Sequence, residues 1–271
     1  MEMADFHVLT NAGDRLDIPE VRRLTLGDLF AALAYGWRDF WEKPSHLAFL
    51  GLIYPMVGAV LAVWSSGNNS WPLLFPLITG FALIGPFAAL PIYEMSRRQE
   101  KGLETHWSAA LDVFRTPAFA SIAALGVWLM IVFTLWLMSA QFLYESLYGP
   151  GSPASLTAFV DEVLNTSQGQ ALMLWGNLIG FGFAVLVLAT SVISIPLLLD
   201  RDVGAAVAIQ TSARVVLRNP LAIAVWGIMV IAILLLGALP LLVGLAIAVP
   251  VLGHATWHLY RRAVVPPGDS R

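Results

Sequence analysis

Two histidines, His254 and His258, stand four residues apart in the last apolar stretch of this 271-residue chain. That spacing places both imidazoles on one face of a helix, where a pair can chelate a transition metal. Glu94, Asp200 and Asp202 follow earlier apolar runs at the same level and would supply oxygen. These five residues are the candidate site. Metal ligation by His254 and His258 is its weak form, since histidines beside Trp257 and Tyr260 at an interface need no metal; no cofactor is expected. The bland alternative is that the five groups anchor helix ends among lipid headgroups. His46 and His106 fall on the same side of the spans, outside the set.

The remaining chemistry is sparse. With 0 cysteines there is no disulfide, thiolate site or cysteine nucleophile. No nucleophile elbow, phosphate-binding glycine loop, zinc-protease helix or dinucleotide fingerprint occurs. No Asp, Glu, Lys or Arg lies near the middle of an apolar run, which counts against an ion-coupled pump. The polar groups there are Thr134, Ser139, Asn177, Thr190, Ser191 and Ser194, residues that commonly join helices to one another. Gly176 and Gly180 form a small-residue packing face by the same logic. The stretch holding Pro72, Pro76, Gly80, Gly85, Pro86 and Pro91 is either an ordinary membrane span or a broken one lining a cavity.

Elements able to position such groups follow from composition. Hydrophobic residues make up 58% and charged residues 12%, and mean hydropathy is +0.75. That is more apolar surface than a water-soluble fold buries. A net charge of −3 offers no basic field for nucleic acid. Six apolar runs, Leu47–Ser65, Trp71–Tyr93, Ala118–Tyr144, Ala171–Leu199, Leu221–Leu239 and Leu241–Leu259, each approach or exceed the ~20 residues that cross a bilayer as a helix. The expected class is all-α, a polytopic membrane protein with six transmembrane helices. The run from Ala171 is overlong and should tilt, or bend near Pro196. The last two runs make a tight hairpin or a re-entrant pair.

All 15 Lys and Arg fall before the first run, between the second and third, between the fourth and fifth, or after the sixth. The positive-inside rule then places both termini in the cytoplasm. Residues 1–23 read as a flexible cytoplasmic tail, 24–264 as a six-span membrane domain, and 265–271 as a second cytoplasmic tail. The polar N-terminus is no cleavable signal peptide. Within the domain, residues 26–43 alternate as an amphipathic interfacial helix, with Leu26, Leu29, Phe30, Leu33, Trp37, Phe40 and Trp41 on its apolar side. Asp28, Arg38, Asp39 and Glu42 fall mostly on the other. Thr25 and Asp28 make a capping box at its start. A second surface helix is expected between Asp202 and Arg218, and a third, on the outer face, after Ser155.

Pro44, Pro117 and Pro220 each follow a basic residue and precede an inward-going run, while Pro91, Pro196 and Pro250 sit near the ends of the returning runs. Three repeats of surface helix plus two-span hairpin fit this pattern; chance similarity among apolar segments is the alternative. Either way, proline ends a surface helix and suits the first turn of the next.

The strings SHLAFLGLIYP, LLFPLITGFALIGPFAALPIYEMSRRQEKG, SIPLLLDRDVGAAVA and VPVLGHATWHLYRR resemble a family of bacterial multi-pass inner-membrane proteins, domain of unknown function 2189. The resemblance runs from Leu24 to Val264. It implies topology, a bacterial inner membrane and no catalytic residue. Some members are labelled cytochrome c oxidase subunits. A haem–copper catalytic subunit looks like six buried histidine ligands, whereas this chain has 5 histidines and none near a span midpoint, so only an accessory role fits that label. Three function classes follow. The first is a non-enzymatic accessory or assembly subunit binding another membrane complex, such as a respiratory complex, or a second copy of itself. The second is a transporter or channel for a small or apolar solute. The third is a membrane enzyme using the cytoplasmic His/Asp/Glu cluster. Lack of intramembrane charge favours the first.

Overall fold

Proline and glycine decide where the helices of this chain stop. The computed structural model describes residues 18–42, 58, 61, 71–83, 85–105, 113, 116, 118–151, 153–240 and 243–266. Along these run α1 (Leu26–Glu42), a 3₁₀ turn (Trp71–Leu73), α2 (Leu74–Leu83), α3 (Gly85–Ala88), α4 (Leu90–Glu100), α5 (Phe119–Tyr148), α6 (Leu156–Asn165), α7 (Ser167–Ser191), α8 (Ser194–Asp200), α9 (Ala205–Arg218), α10 (Pro220–Ala238) and α11 (Leu245–Ala263). No strand occurs among the described residues, and the all-α membrane class holds. The expected first span, Leu47–Ser65, lies outside the described residues apart from Gly58 and Leu61, as do the turns at Pro44 and Pro117 and the side chains of His46 and His106.

Among the described residues three helical stretches are long and apolar enough to cross a membrane: Phe119–Tyr148, Ser167–Asp200 and Pro220–Ala238. The expected count of six is thus not confirmed. The second apolar run, read as one span, is divided into α2, α3 and α4. Pro86 and Pro91 each lack the amide that would continue a helix. The sixth run does form a helix, α11, but its second half carries His254, Thr256, His258, Tyr260, Arg261 and Arg262 and is too polar to qualify by composition.

The overlong fourth run bends as expected. α7 stops at Ser191 and α8 starts at Ser194, because Pro196 offers no N–H to Val192. The Ile193 amide freed there donates to Ser212 Oγ at 3.3 Å, and Ser194 Oγ donates to the Thr190 carbonyl at 2.6 Å. The break is therefore satisfied from α9, whose buried face holds Val207, Ala208, Thr211, Ser212 and Val215. Gly204, at φ 75°, takes the left-handed turn from α8 into α9.

The chain divides into two compact units, with boundaries inside α3, α5 and α7 among the described residues. In the first unit α11 is the hub. Gly36 of α1 lies so near it that a Cβ there would meet the Ala255 nitrogen at 2.5 Å and the Val251 carbonyl oxygen at 2.7 Å. Gly253 takes Ile92 of α4 equally closely, and Gly237 of α10 lies against Gly244 and Ala248. Phe40, Ile92, Met95, Val249 and Val251 form the core between these helices.

Residues 20–22 and 263–265 are tied together. Arg22 N–H donates to the Ala263 carbonyl at 2.8 Å and Val265 N–H to the Glu20 carbonyl at 2.9 Å, around an antiparallel bridge between Val21 and Val264. The last residues of the segment read as a flexible tail are thus paired with residues 263–265.

The second unit is centred on Trp136 of α5. Its indole N–H donates to the Pro76 carbonyl of α2 at 2.8 Å. Gly80 and Gly180 leave room for its ring, and Phe183 of α7 packs on it at 5.7 Å. α6 is capped by Ser155, whose Oγ accepts from the Ala158 amide, and Phe159 meets Tyr144 edge-on at 6.2 Å.

Candidate functional site

A capping box starts α1. Thr25 N–H donates to Asp28 Oδ2 at 2.9 Å, and Asp28 N–H donates to Thr25 Oγ1 at 3.3 Å. These bonds orient the helix so that Leu29, Ala32, Gly36, Asp39 and Phe40 are buried. The small residues among them let the two backbones approach, and the approach brings Asp39 onto α11. Arg262 fastens the other end through Asp28 at 3.1 Å. The Thr25 hydroxyl and amide, helped by Arg262, hold the Asp28 carboxyl below its ordinary 3.8.

Both histidines of the candidate site meet this helix. His258 Nε2 is 2.7 Å from Asp39 Oδ2, and His254 Nδ1 is 3.9 Å from the same oxygen. His254 Nδ1 also hydrogen-bonds Ser96 Oγ of α4. His254 is only 1% exposed and Asp39 4%, while Tyr35 covers the His258 ring at 5.3 Å. Ser96 and Asp39 approach the same nitrogen of His254, whereas a Ser-His-Asp relay uses opposite ring nitrogens. His254 Nε2 is buried without a hydrogen-bond partner among the described residues. No group of three His, Asp or Glu among the described residues is placed to hold a metal ion.

The carboxylates form a second, adjoining network. Glu94 is 1% exposed and accepts from Arg97 Nε at 2.7 Å, Arg97 Nη2 at 2.8 Å and Arg98 Nε at 2.9 Å. The Arg97 fork grips both its oxygens, the strong geometry for such a pair. Asp200, at the end of α8, accepts from the Tyr260 hydroxyl at 2.7 Å and Arg261 Nη1 at 3.1 Å, with Lys101 Nζ at 3.8 Å. Arg261 continues to Glu100 at 2.8 Å, and Glu100 also accepts from the Trp257 indole at 2.9 Å. The hydrogen bond to Glu94, and more weakly the charge of Asp200, favour the protonated form of Arg97.

Asp200, His254 and His258 therefore meet at the end of α11, where Asp39 joins α1 to it and Ser96 and Glu100 join α4, whereas Glu94 is paired within α4 itself. Asp202 does not meet them; it is exposed, beyond this network. The sequence reading also missed Asp39, Ser96, Glu100 and Tyr260. Asp39 is a correction: assigned to the polar side of α1, it faces inwards because its imidazole partner is there. The signal was present in the spacing of Leu29, Ala32, Gly36 and Asp39, which follows one helical face.

Residues 73–200 match the family described as predicted integral membrane protein, domain of unknown function 2189, the family whose strings the sequence resembles. No curated protein and no solved structure matches the chain.

Proposed function

We propose that this integral membrane protein, matched over residues 73–200 to domain of unknown function 2189, is a non-enzymatic accessory or assembly subunit. It sits in a bacterial inner membrane with both termini in the cytoplasm and binds another membrane complex, such as a respiratory complex. The observation that carries this reading is the commitment of the charged groups to one another. Glu94 is held by two arginines, Asp200 by Tyr260 and Arg261, and Asp39 by His258. A carboxylate with its lone pairs spent on such partners is a poor base or ligand; Glu94 is spent within α4, while Asp39 and Asp200 fix α1 and α8 against α11. Breaking a buried pair costs about 3–5 kcal/mol, so the cross-helix pairs, with Ser96 and Glu100 of α4 held by His254 and Trp257, make α1, α4, α8 and α11 a stiff platform for assembly.

Isolation from native membranes in mild detergent tests the reading. A second membrane polypeptide should accompany the chain at constant stoichiometry through native electrophoresis and mass spectrometry. A chain that travels alone, and that moves solute or converts a substrate after reconstitution, contradicts it.

A further inference from the structure

α9 buries one face and presents another. Gln210, Arg214, Leu217, Arg218 and, past the turn, Leu221 follow each other along its exposed side. Leu217 is 80% exposed and Leu221 73%. Asn219, buried at the junction of α9 and α10, grips the segment that leads into α1. Its Oδ1 accepts from Leu24 N–H at 2.7 Å, and its Nδ2 donates to the Arg22 carbonyl at 3.1 Å and the Val215 carbonyl at 3.0 Å. Exposed Arg23 lies between the two residues that Asn219 grips, and Arg218, next to Asn219 in the chain, stands one helical turn from Arg214. Among the described residues close to this junction in the chain, Asp28 is already committed to Thr25 and Arg262 and Glu20 is exposed, against three exposed arginines.

From this we infer that Arg23, Arg214 and Arg218 form a headgroup-binding surface for anionic phospholipid. The apolar neighbours select a lipid over a soluble anion. Leu217 and Leu221 alternate with the arginines, as expected where acyl chains meet headgroups. Guanidinium forks match phosphate oxygens in geometry as well as charge, and basic surfaces beside membrane helices recognise anionic headgroups. The Asn219 clamp fixes the backbone that carries Arg23 against the end of α9 before any lipid arrives, which lowers the ordering cost of binding. This inference stands whether or not the partner reading holds.

The full chain in nanodiscs tests it. Wild type and the variant R23Q/R214Q/R218Q are compared in phosphatidylcholine discs containing a minor fraction of phosphatidylglycerol, and bound lipids are counted by native mass spectrometry. Wild type should retain phosphatidylglycerol selectively. Each arginine is worth about fivefold in affinity, so the triple variant should lose on the order of a hundredfold and be indifferent to headgroup. Equal retention by the two proteins would overturn the proposal. A photo-crosslinker at Leu217 in native membranes should give phospholipid adducts, and a protein adduct there instead would also overturn it. In detergent, inorganic phosphate alone should not stabilise wild type over the variant; if it did, the surface would be an anion site and not a lipid site.

Discussion

Adding one methyl group to α1 at either of two glycines should have opposite effects. Gly27 and Gly36 lie in the same helix, and alanine is the better helix former at both by about 0.5–1 kcal/mol. At Gly27 the new Cβ meets only Thr25 Oγ1, at 3.6 Å, so G27A should gain that stability. At Gly36 it meets Ala255 N at 2.5 Å, Val251 O at 2.7 Å and Ala255 Cα at 2.8 Å, where ordinary contact begins at 3.4 Å. All three are backbone atoms within α11 and cannot swing aside. α1 must retreat by about 0.9 Å, which stretches the 2.7 Å contact between His258 and Asp39 past hydrogen-bonding range. Overpacking costs about 1–3 kcal/mol and a charged hydrogen bond about 1.5–3 kcal/mol. After the helix-forming gain, G36A should be destabilised by roughly 2–5 kcal/mol, a fall of about 5–15 °C in detergent melting temperature. Fluorescence-detected size exclusion of heated samples measures both variants. If G36A melts with or above G27A, α1 does not pack on α11 as described.

Further outcomes are expected. Glu94→Ala leaves two guanidinium groups facing a buried gap and should cost about 3–5 kcal/mol, whereas Arg97→Ala, which leaves Arg98 in place, should cost less; reversing that order in a melting assay would refute the Glu94 assignment. Ser212→Ala strips the acceptor from the Ile193 amide and should cost about 1–3 kcal/mol, read as faster proteolysis between α8 and α9. Asp28 has a lowered folded value, so its stabilisation of α1 is full above the unfolded value of 3.8 and is lost as pH falls below it; Asp28→Asn should abolish that acid-dependent step, and its persistence would assign the step elsewhere. Cysteines placed at Gln210 and Ser155 have no native thiol to compete with. An impermeant external reagent should label the second and spare the first, and the reverse would invert the topology.

Local backbone chemistry was the most legible part of the sequence. Thr25 with Asp28, Ser155, Pro196 and Pro220 act through atoms within a few residues, so their caps, bend and helix start could be read directly and were found. Pairings across helices were less legible. Pairing of Glu94 and Asp200 with arginines follows from the cost of burying a lone charge; Arg97 is local to Glu94 on α4, whereas the Arg261 that holds Asp200 comes from another helix. Asp39 looked like a solvent-facing charge because its compensating imidazole lies far away in the chain, on α11. The span count is not confirmed among the described residues, because two prolines divide the second run and the second half of α11 is polar. α11 shows why: a helix surrounded by other helices can carry His254 and Tyr260 in its buried half.

Photo-crosslinking from exposed positions on α10 tests the partner-binding claim most directly. Leu235, Leu236 and Leu239 are well exposed within the first unit. With a photoreactive residue at each in turn, irradiated native membranes should yield one discrete adduct with a second membrane polypeptide, recurring at neighbouring positions on one face. Lipid adducts alone at every position, from a protein that still performs transport or catalysis once reconstituted, would contradict the account.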